Sequence, residues 1–540
     1  MRDISRRGLL GVGLAAAAGA LGAGVVDFES RRSGGSARRH YPAIVVGSGY
    51  GGGVSALRLG EAGVETLILE QGRLWDRPDE DGKRFSKMLP PDNRAGWFTS
   101  HPPSLVPSYQ GISIDMVAEH VPSPQPVQAG ICEKVELGAH TVFRGIGVGG
   151  GSMINAAIAA IPTPAQVQAA FPDIDAGEFL GTYMQRAATT LRINYRDMDW
   201  FEQAPCFQYA RMGRQYAATA GYKVDYNGSA YSFDYMKKEQ AGEVPKSALA
   251  LEQQYGNNYG RFGSVDQTYI AAALATHKVT LKPLTAVTDI RRERSGEYVV
   301  SAREIDRWGK EVARYEFGCD QLFLSAGVLG TNKLLLRARD TGALSDLSAE
   351  IGHGYGNNGD VMVAHRLKPS DPAGTEQSLL GMINVDGRDD PDNPVYAGMF
   401  SIPLAVETFT LGYYVMVRTG DRANITYDPR SDTVSIGWPQ DYSDHLTARA
   451  KLVFDKITQS NGVDYRSDIF NGKVFAPYTV HPLGGVVRGA ATDAFGRVKG
   501  YDKLYVNDAS LFPGYLGCNP FMSITALAER NIEAILQGRH

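Results

Sequence analysis

His481 and Asn519 have the side chains and the settings to handle a proton on a substrate. His481 opens His481-Pro-Leu-Gly-Gly485, an apolar loop in which a proline and two glycines shape the backbone that presents the imidazole. Asn519 stands in Gly517-Cys-Asn-Pro-Phe521, just ahead of a helical run from Met522 to Leu536. An imidazole can take up a hydroxyl proton near neutral pH, and a nearby amide can donate a hydrogen bond to the same oxygen. Each residue alone has an ordinary explanation. A single histidine is usually structural, and with Pro520 in the first turn Asn519 suits a helix cap. Their company favours an active site, because the chain also carries two glycine loops.

The first loop lies in the stretch from Tyr41 to Gly72. Ala43–Val46 is apolar and β-branched, long enough for a buried parallel strand. Gly47, Gly49 and Gly52 then form G-x-G-x-x-G, Val54–Ala62 continues at helical spacing, and Thr66–Leu69 is a second buried strand closed by Glu70. With 62 glycines in 540 residues, the bare pattern is expected about once by chance. The strand before it, the helix after it and the acid-ended second strand carry the inference of a dinucleotide site. The glycines permit the tight turn and the approach of a pyrophosphate, and the helix start supplies N–H groups and a positive dipole end. Glu70 stands where a carboxylate binds ribose hydroxyls, which favours FAD or NAD over NADP.

The second loop, Arg144-Gly-Ile-Gly-Val-Gly-Gly-Gly-Ser152, leads into small residues from Met153 to Ala160 and suits close backbone passage along a flat ligand or its phosphates. A glycine-rich packing turn is the alternative. The helix start after Asn519 offers positive potential that would stabilise a reduced anionic flavin.

These groups need scaffolds. Phe201–Gly221 reads as one amphipathic helix, and Tyr222–Tyr235 as strand and loop. Val279–Ile290, Tyr298–Arg303 and Gln321–Ala326 read as strands, the last running through Gly327-Val-Leu-Gly330 into a helix, Thr331–Arg339. Val395–Met399, Thr410–Val417 and Thr433–Ile436 read as strands of a separate antiparallel sheet, followed by a helix over Ser443–Asn461. The proline-punctuated stretch after Gly72 is either a lid or surface wrapping. A chain of this length is expected to form two or more interlocked domains.

A net charge of −4 and the lack of a basic patch argue against a nucleic-acid partner. Cys132, Cys206, Cys319 and Cys518 are scattered without metal-ligand spacing, so neither a metal site nor a disulfide framework is expected. At the N-terminus, Ser5-Arg6-Arg7-Gly8-Leu9-Leu10 and an Ala/Gly run to Val26 read as a twin-arginine export signal, with Ala18-Gly19-Ala20 as a candidate cleavage site. A retained membrane anchor is the alternative, disfavoured because Ala and Gly insert poorly.

In this order the pieces resemble the glucose–methanol–choline (GMC) oxidoreductases, and most closely their cholesterol oxidase branch. The marks are VVGSGYGGGVSALRLGEAG, GVGGGSMIN, GEVPKSALA at Gly242–Ala250, YGNN at Tyr255–Asn258, RARDTGAL at Arg337–Leu344, HPLGG and GCNPFMSITALAERN. The resemblance implies an α/β fold with FAD, rather than NAD, held noncovalently in a Rossmann-like domain. That domain would comprise residues 40–160, 240–345 and 478–540. Residues 161–239 and 346–477 would form an interleaved α+β substrate-binding domain, and 1–39 the signal and tail. Gly47, Gly49, Gly51 and Glu70 would hold the ADP half, with Val287 at the adenine. Gly149, Gly150, Ser152 and Asn155 would lie along the pyrophosphate and isoalloxazine, and Asp508 and Phe521 near the flavin. His481 would meet the substrate hydroxyl, with Asn519 as its hydrogen-bonding partner. The implied partners are a hydrophobic small-molecule alcohol and dioxygen, with transient membrane contact allowed and the oligomeric state open.

One departure bears on the substrate. In sterol oxidases of this branch the strand matching Val395-Tyr-Ala-Gly-Met399 carries a proton-shuttling glutamate; here that position is Gly398, with Tyr396 beside it at the expected cavity. Glu407, the nearest acid, sits where the family also has a second, structural glutamate. The leading reading is oxidation of a bulky, sterol-like secondary alcohol with weak or no double-bond isomerisation. Its rivals are a GMC enzyme of secondary metabolism acting on a non-sterol substrate, and a flavin-containing binding protein without turnover.

Overall fold

The computed structural model describes residues 38–539 except 89–90, 102, 104–107, 110–111, 114–125, 139, 377, 379–382, 401–405 and 471. The twin-arginine segment lies outside the described residues. Among those described, no helix is long and apolar enough to cross a membrane.

Two sheets organise the chain. The first has seven strands, with Val279–Lys282, Thr66–Leu69, Arg39–Val46 and Glu311–Leu324 neighbouring one another in that order, then Tyr298–Ile305 and Thr285–Arg292. Leu504–Val506 adds in parallel to the far end of Glu311–Leu324. The parallel strands are mostly buried on both faces, as their apolar runs require, whereas the hairpin part of Glu311–Leu324 alternates between exposed and half-buried residues. Helix Tyr50–Glu61 follows the first strand directly. Gly51 lets it sit tight: a Cβ there would lie 1.6 Å from the Asn507 carbonyl oxygen. Helix Phe521–Leu536 packs on Tyr50–Glu61 and is locked by a two-pronged pair, Arg58 Nε and Nη2 donating to the fully buried Glu529 at 2.8 and 2.7 Å.

The second sheet has eight strands in the order Cys132–Glu136, Thr141–Gly145, Phe475–Thr479, Asp360–Arg366, Thr410–Val417, Val395–Phe400, Asn384–Gly387 and Lys223–Asp225. The first two belong to the stretch that the resemblance gives to the FAD-binding half, yet they extend this sheet because Tyr478 and Thr479 pair in parallel with Thr141 and Val142. Thr433–Gly437 stays outside it and, among the described residues, pairs with Asn424–Asp428 in a two-stranded sheet. Two long elements read from sequence are broken. Pro205 divides the helix expected over Phe201–Gly221 into Met198–Gln203 and Gln208–Thr219, with a short 3-10 turn between them. Pro283 and Leu284 divide Val279–Ile290 into two strands.

Candidate active site

A cavity of about 740 Å³ runs from the glycine turn after the first strand to the start of helix Phe521–Leu536. His481 and Asn519 meet in it, brought from segments 38 residues apart, with Asn519 Nδ2 3.4 Å from His481 Nε2. The other ring nitrogen, Nδ1, lies 3.0 Å from Asp360 Oδ1. Asp360 is fully buried, and its second oxygen accepts a 2.6 Å bond from Thr479 Oγ1. The same hydroxyl accepts from the His481 backbone N–H at 2.8 Å, so ring and main chain are held by one cluster.

Asn519 does not cap the helix. The cap position is Pro520, without a side-chain cap bond, and the Asn519 amide turns to His481 instead. Its Oδ1 is buried and has no hydrogen-bond partner among the described residues. Sequence reasoning did not single out Asp360, which opens the strand Asp360–Arg366 straight after a Gly/Asn-rich stretch. The available signal was a lone carboxylate one residue before the apolar run Val361–Ala364, a place where it had to be buried and paired.

The walls beyond His481 include Met88, Ala157, Ile158, Met362, Phe400 and Tyr414. Gly398 pairs with Tyr414 on one side and Asn384 on the other, on the sheet face that carries Met362 and Tyr414. Neither Gly398 nor Tyr396 borders the cavity. The fully buried Tyr396 hydroxyl goes instead to Asp225 and Asn227, at 2.7 and 2.5 Å. Glu407 ties down a loop, accepting from the backbone N–H groups of Ala373, Gly374 and Phe409.

A family model described as "GMC oxidoreductase, C-terminal" matches residues 358–471, which include Asp360. A cholesterol oxidase of Acinetobacter baumannii is 24% identical over 92% of this chain and 94% of that protein. Among solved structures, pyridoxine 4-oxidase from "Mesorbium loti" superposes with a TM-score of 0.61 at 18% identity, covering 93% of this chain and 99% of that one. A fungal aryl-alcohol oxidase gives 0.62 at 13%, covering 93% and 100%. The chain resembles the GMC oxidoreductases in fold, and in sequence over residues 358–471. The α/β fold is the fold of these GMC oxidases.

The residues present fit FAD. The two glycine loops touch: a Cβ on Gly150 would lie 2.9 Å from Gly49 Cα, so backbone alone separates them along the cavity floor. Gly47, Gly49, Gly51, Glu70, Gly150, Asn155, Val287, Asp508 and Phe521 all border the cavity. Val287 sits at a β-bulge that interrupts the ladder. Burial pushes the Glu70 and Asp508 carboxyls up from the usual carboxylate range, against several hydrogen bonds that favour the anions. Glu70 accepts from the Ser48 N–H and hydroxyl and the Gly72 N–H; Asp508 accepts from the Gly327 and Ser510 N–H groups and the Thr331 hydroxyl.

Gly149 and Ser152 do not border this cavity. Ser152 Oγ donates to the Gly149 carbonyl and accepts from the Val265 N–H, which fixes the shape of the second loop from behind. Asn155 Nδ2 donates to the Tyr50 hydroxyl at 2.7 Å, and the Tyr50 ring stacks on Phe521 at 5.1 Å. That chain of contacts ties together the two helix starts that face the cavity.

Proposed function

We propose that this enzyme oxidises a secondary alcohol on a bulky hydrophobic substrate, with FAD held noncovalently and dioxygen as the final acceptor. One observation carries the reading: an imidazole held from behind by Asp360 presents Nε2 beside the Asn519 amide at an apolar-walled cavity. His481 Nε2 accepts the hydroxyl proton, and Asn519 Nδ2 donates to the same oxygen as its charge grows. FAD, when bound, supplies the acceptor for the hydride that leaves the carbinol carbon. The positive end of helix Phe521–Leu536 favours negative charge at that end of the cavity. The apolar walls keep water from competing for the proton.

A non-sterol substrate is the second reading, and Gly398 favours it. The sheet row through Gly398 offers Asn384 and Tyr414 as direct neighbours, neither of them a carboxylate. Asp225, next in that row, is engaged by the Tyr396 hydroxyl and by Arg388. The names of the structural neighbours, an aryl-alcohol oxidase and a pyridoxine oxidase, are in keeping with such a substrate. A panel of steroid, aryl and alkyl alcohols, scored by anaerobic flavin bleaching and by peroxide release in air, separates the readings. Bleaching by none of them would overturn the alcohol-oxidation reading. Export through the twin-arginine motif belongs to the same proposal, and Arg6→Lys with Arg7→Lys should leave folded holoprotein in the cytoplasm.

A further inference from the structure

We infer that Asp360 is the positioning residue of this site, fixing the tautomer and aim of His481 so that Nε2 is the nitrogen that accepts the substrate proton. The inference rests on the alcohol-oxidation reading above. An ionised carboxylate can only accept, so the hydrogen in the 3.0 Å contact belongs to Nδ1. A neutral ring protonated there carries its lone pair on Nε2, which borders the cavity beside Asn519. The opposite tautomer would set the Nδ1 lone pair against a carboxylate oxygen and leave nothing to receive the hydroxyl proton.

The surroundings are built to deliver this carboxylate. Gly359 has φ +73°, and a Cβ there would fall 1.8 Å from the Val417 carbonyl oxygen, so only glycine lets the chain turn into the strand at Asp360. Asn357 clamps the turn, accepting from the Gly359 N–H at 3.0 Å and donating to the Asp360 carbonyl at 3.1 Å. Thr479 holds the second carboxylate oxygen and the His481 N–H together.

Charge points the same way. The titratable neighbours that feel Asp360 are Tyr355 in the preceding loop, Tyr414 on the adjoining strand and Tyr442 at the start of helix Tyr442–Asn461. All three phenols are pushed up, by burial first and by the Asp360 charge second or later, so they stay neutral. Tyr355 is backed by the buried His140, bonded to its hydroxyl at 2.9 Å and held neutral, with its ring pushed down to about 4 by burial. Among the described residues the ion-pair partner of Asp360 is therefore His481 alone. As the substrate O–H bond breaks and the Nε2–H bond forms, the positive ring rests against Asp360, which itself gains no proton.

Asp360→Asn in the holoenzyme is the test, with cholesterol and benzyl alcohol as probes. An amide can donate to Nδ1 and so fix the wrong tautomer. Flavin reduction should fall by about 10²–10⁴-fold while half-saturation, FAD content and melting temperature change little. The residual rate should climb with pH where that of the unmodified enzyme is flat, a response that a merely structural role would not produce. Nitrogen-15 histidine NMR of the unmodified holoenzyme needs neither a variant that folds nor an active probe. It should show His481, assigned by its loss in His481→Gln, with the proton on Nδ1. A proton on Nε2, or an Asp360→Asn enzyme reducing flavin at the unmodified rate, would overturn the inference. Failure of both alcohols to bleach the flavin would count against the alcohol-oxidation reading while leaving the NMR result to decide on Asp360.

Discussion

The two ends of the cavity are built on different principles. At the dinucleotide end the decisive contacts are backbone against backbone: Gly51 against the Asn507 carbonyl, and Gly150 against Gly49. At the catalytic end they are side-chain hydrogen bonds, from Thr479 and His481 to Asp360 and from Asn519 to His481. A steric requirement tolerates almost no substitution, because the neighbouring main chain cannot move aside. An orienting requirement tolerates many substitutions as structure and few as chemistry. Changes at the first end should therefore cost fold and cofactor together, and changes at the second should cost rate alone.

The hardest test of that contrast is Gly51→Ala. A methyl group 1.6 Å from a carbonyl oxygen forces the first helix off the sheet, and overpacking of this kind costs on the order of 3 kcal/mol. Soluble yield, melting temperature and FAD content should all drop. Retention of FAD at normal melting temperature would erase the distinction drawn here.

His481→Ala should leave those three quantities intact and lower the flavin-reduction rate by at least about 10²-fold, measured anaerobically by stopped flow. Asn519→Ala sharpens the point, since the helix cap is Pro520 and not Asn519. It should lower the rate by a comparable factor yet cost less stability than the ~1 kcal/mol typical of a lost helix cap. A larger loss of stability would mean that Asn519 holds the helix after all.

Acid should also tell the two halves apart. His140, in the hairpin at one edge of the second sheet, and His365, on a central strand, are both pushed down by burial to about 4. A histidine lowered in the folded state binds fewer protons folded than unfolded. Its stabilisation is thus complete above the ordinary value near 6.5 and is lost as pH falls toward 4, by at most about 3 kcal/mol each. Glu70 and Asp508, at the dinucleotide end, are raised in the folded state and run the other way: their contribution is complete below the ordinary carboxylate values and declines as pH rises through the folded ones. Hydrogen exchange at pH 7 and pH 5 should show the second sheet loosening first. Equal loosening of both sheets would argue against the assignment.

The smallest expected effect is on product identity. If cholesterol is accepted, the 5-en-3-one should leave largely unisomerised, because Gly398 has no carboxylate and Glu407 is occupied with three backbone N–H groups. Predominant 4-en-3-one at short times would point to another base.

The dinucleotide end was legible early, since every cue is local: a buried strand, a glycine turn, a helix and an acid lie within one stretch of the chain. His481 and Asn519 were legible as residue types in special loops. The helix-cap reading of Asn519 was a local inference, and a long-range contact overrode it. Ser152 looked like a ligand-loop hydroxyl, but its bonds run to Gly149 and Val265. Tyr396 was placed at the cavity by the resemblance, but its long side chain ends on Asp225 and Asn227.

The sequence by itself determined the glycine turns, the strand and helix types, and the identity of the imidazole and the amide, because short-range sterics and hydrophobic periodicity act within a few residues. Only the tertiary structure decided that Asp360 stands behind His481. That contact spans 121 residues and two strands of the second sheet, and no local pattern encodes which buried carboxylate will find which ring. The folded chain decides it, because a buried acid must be paired, and among the described residues the His481 ring is the ion-pair candidate within reach of it.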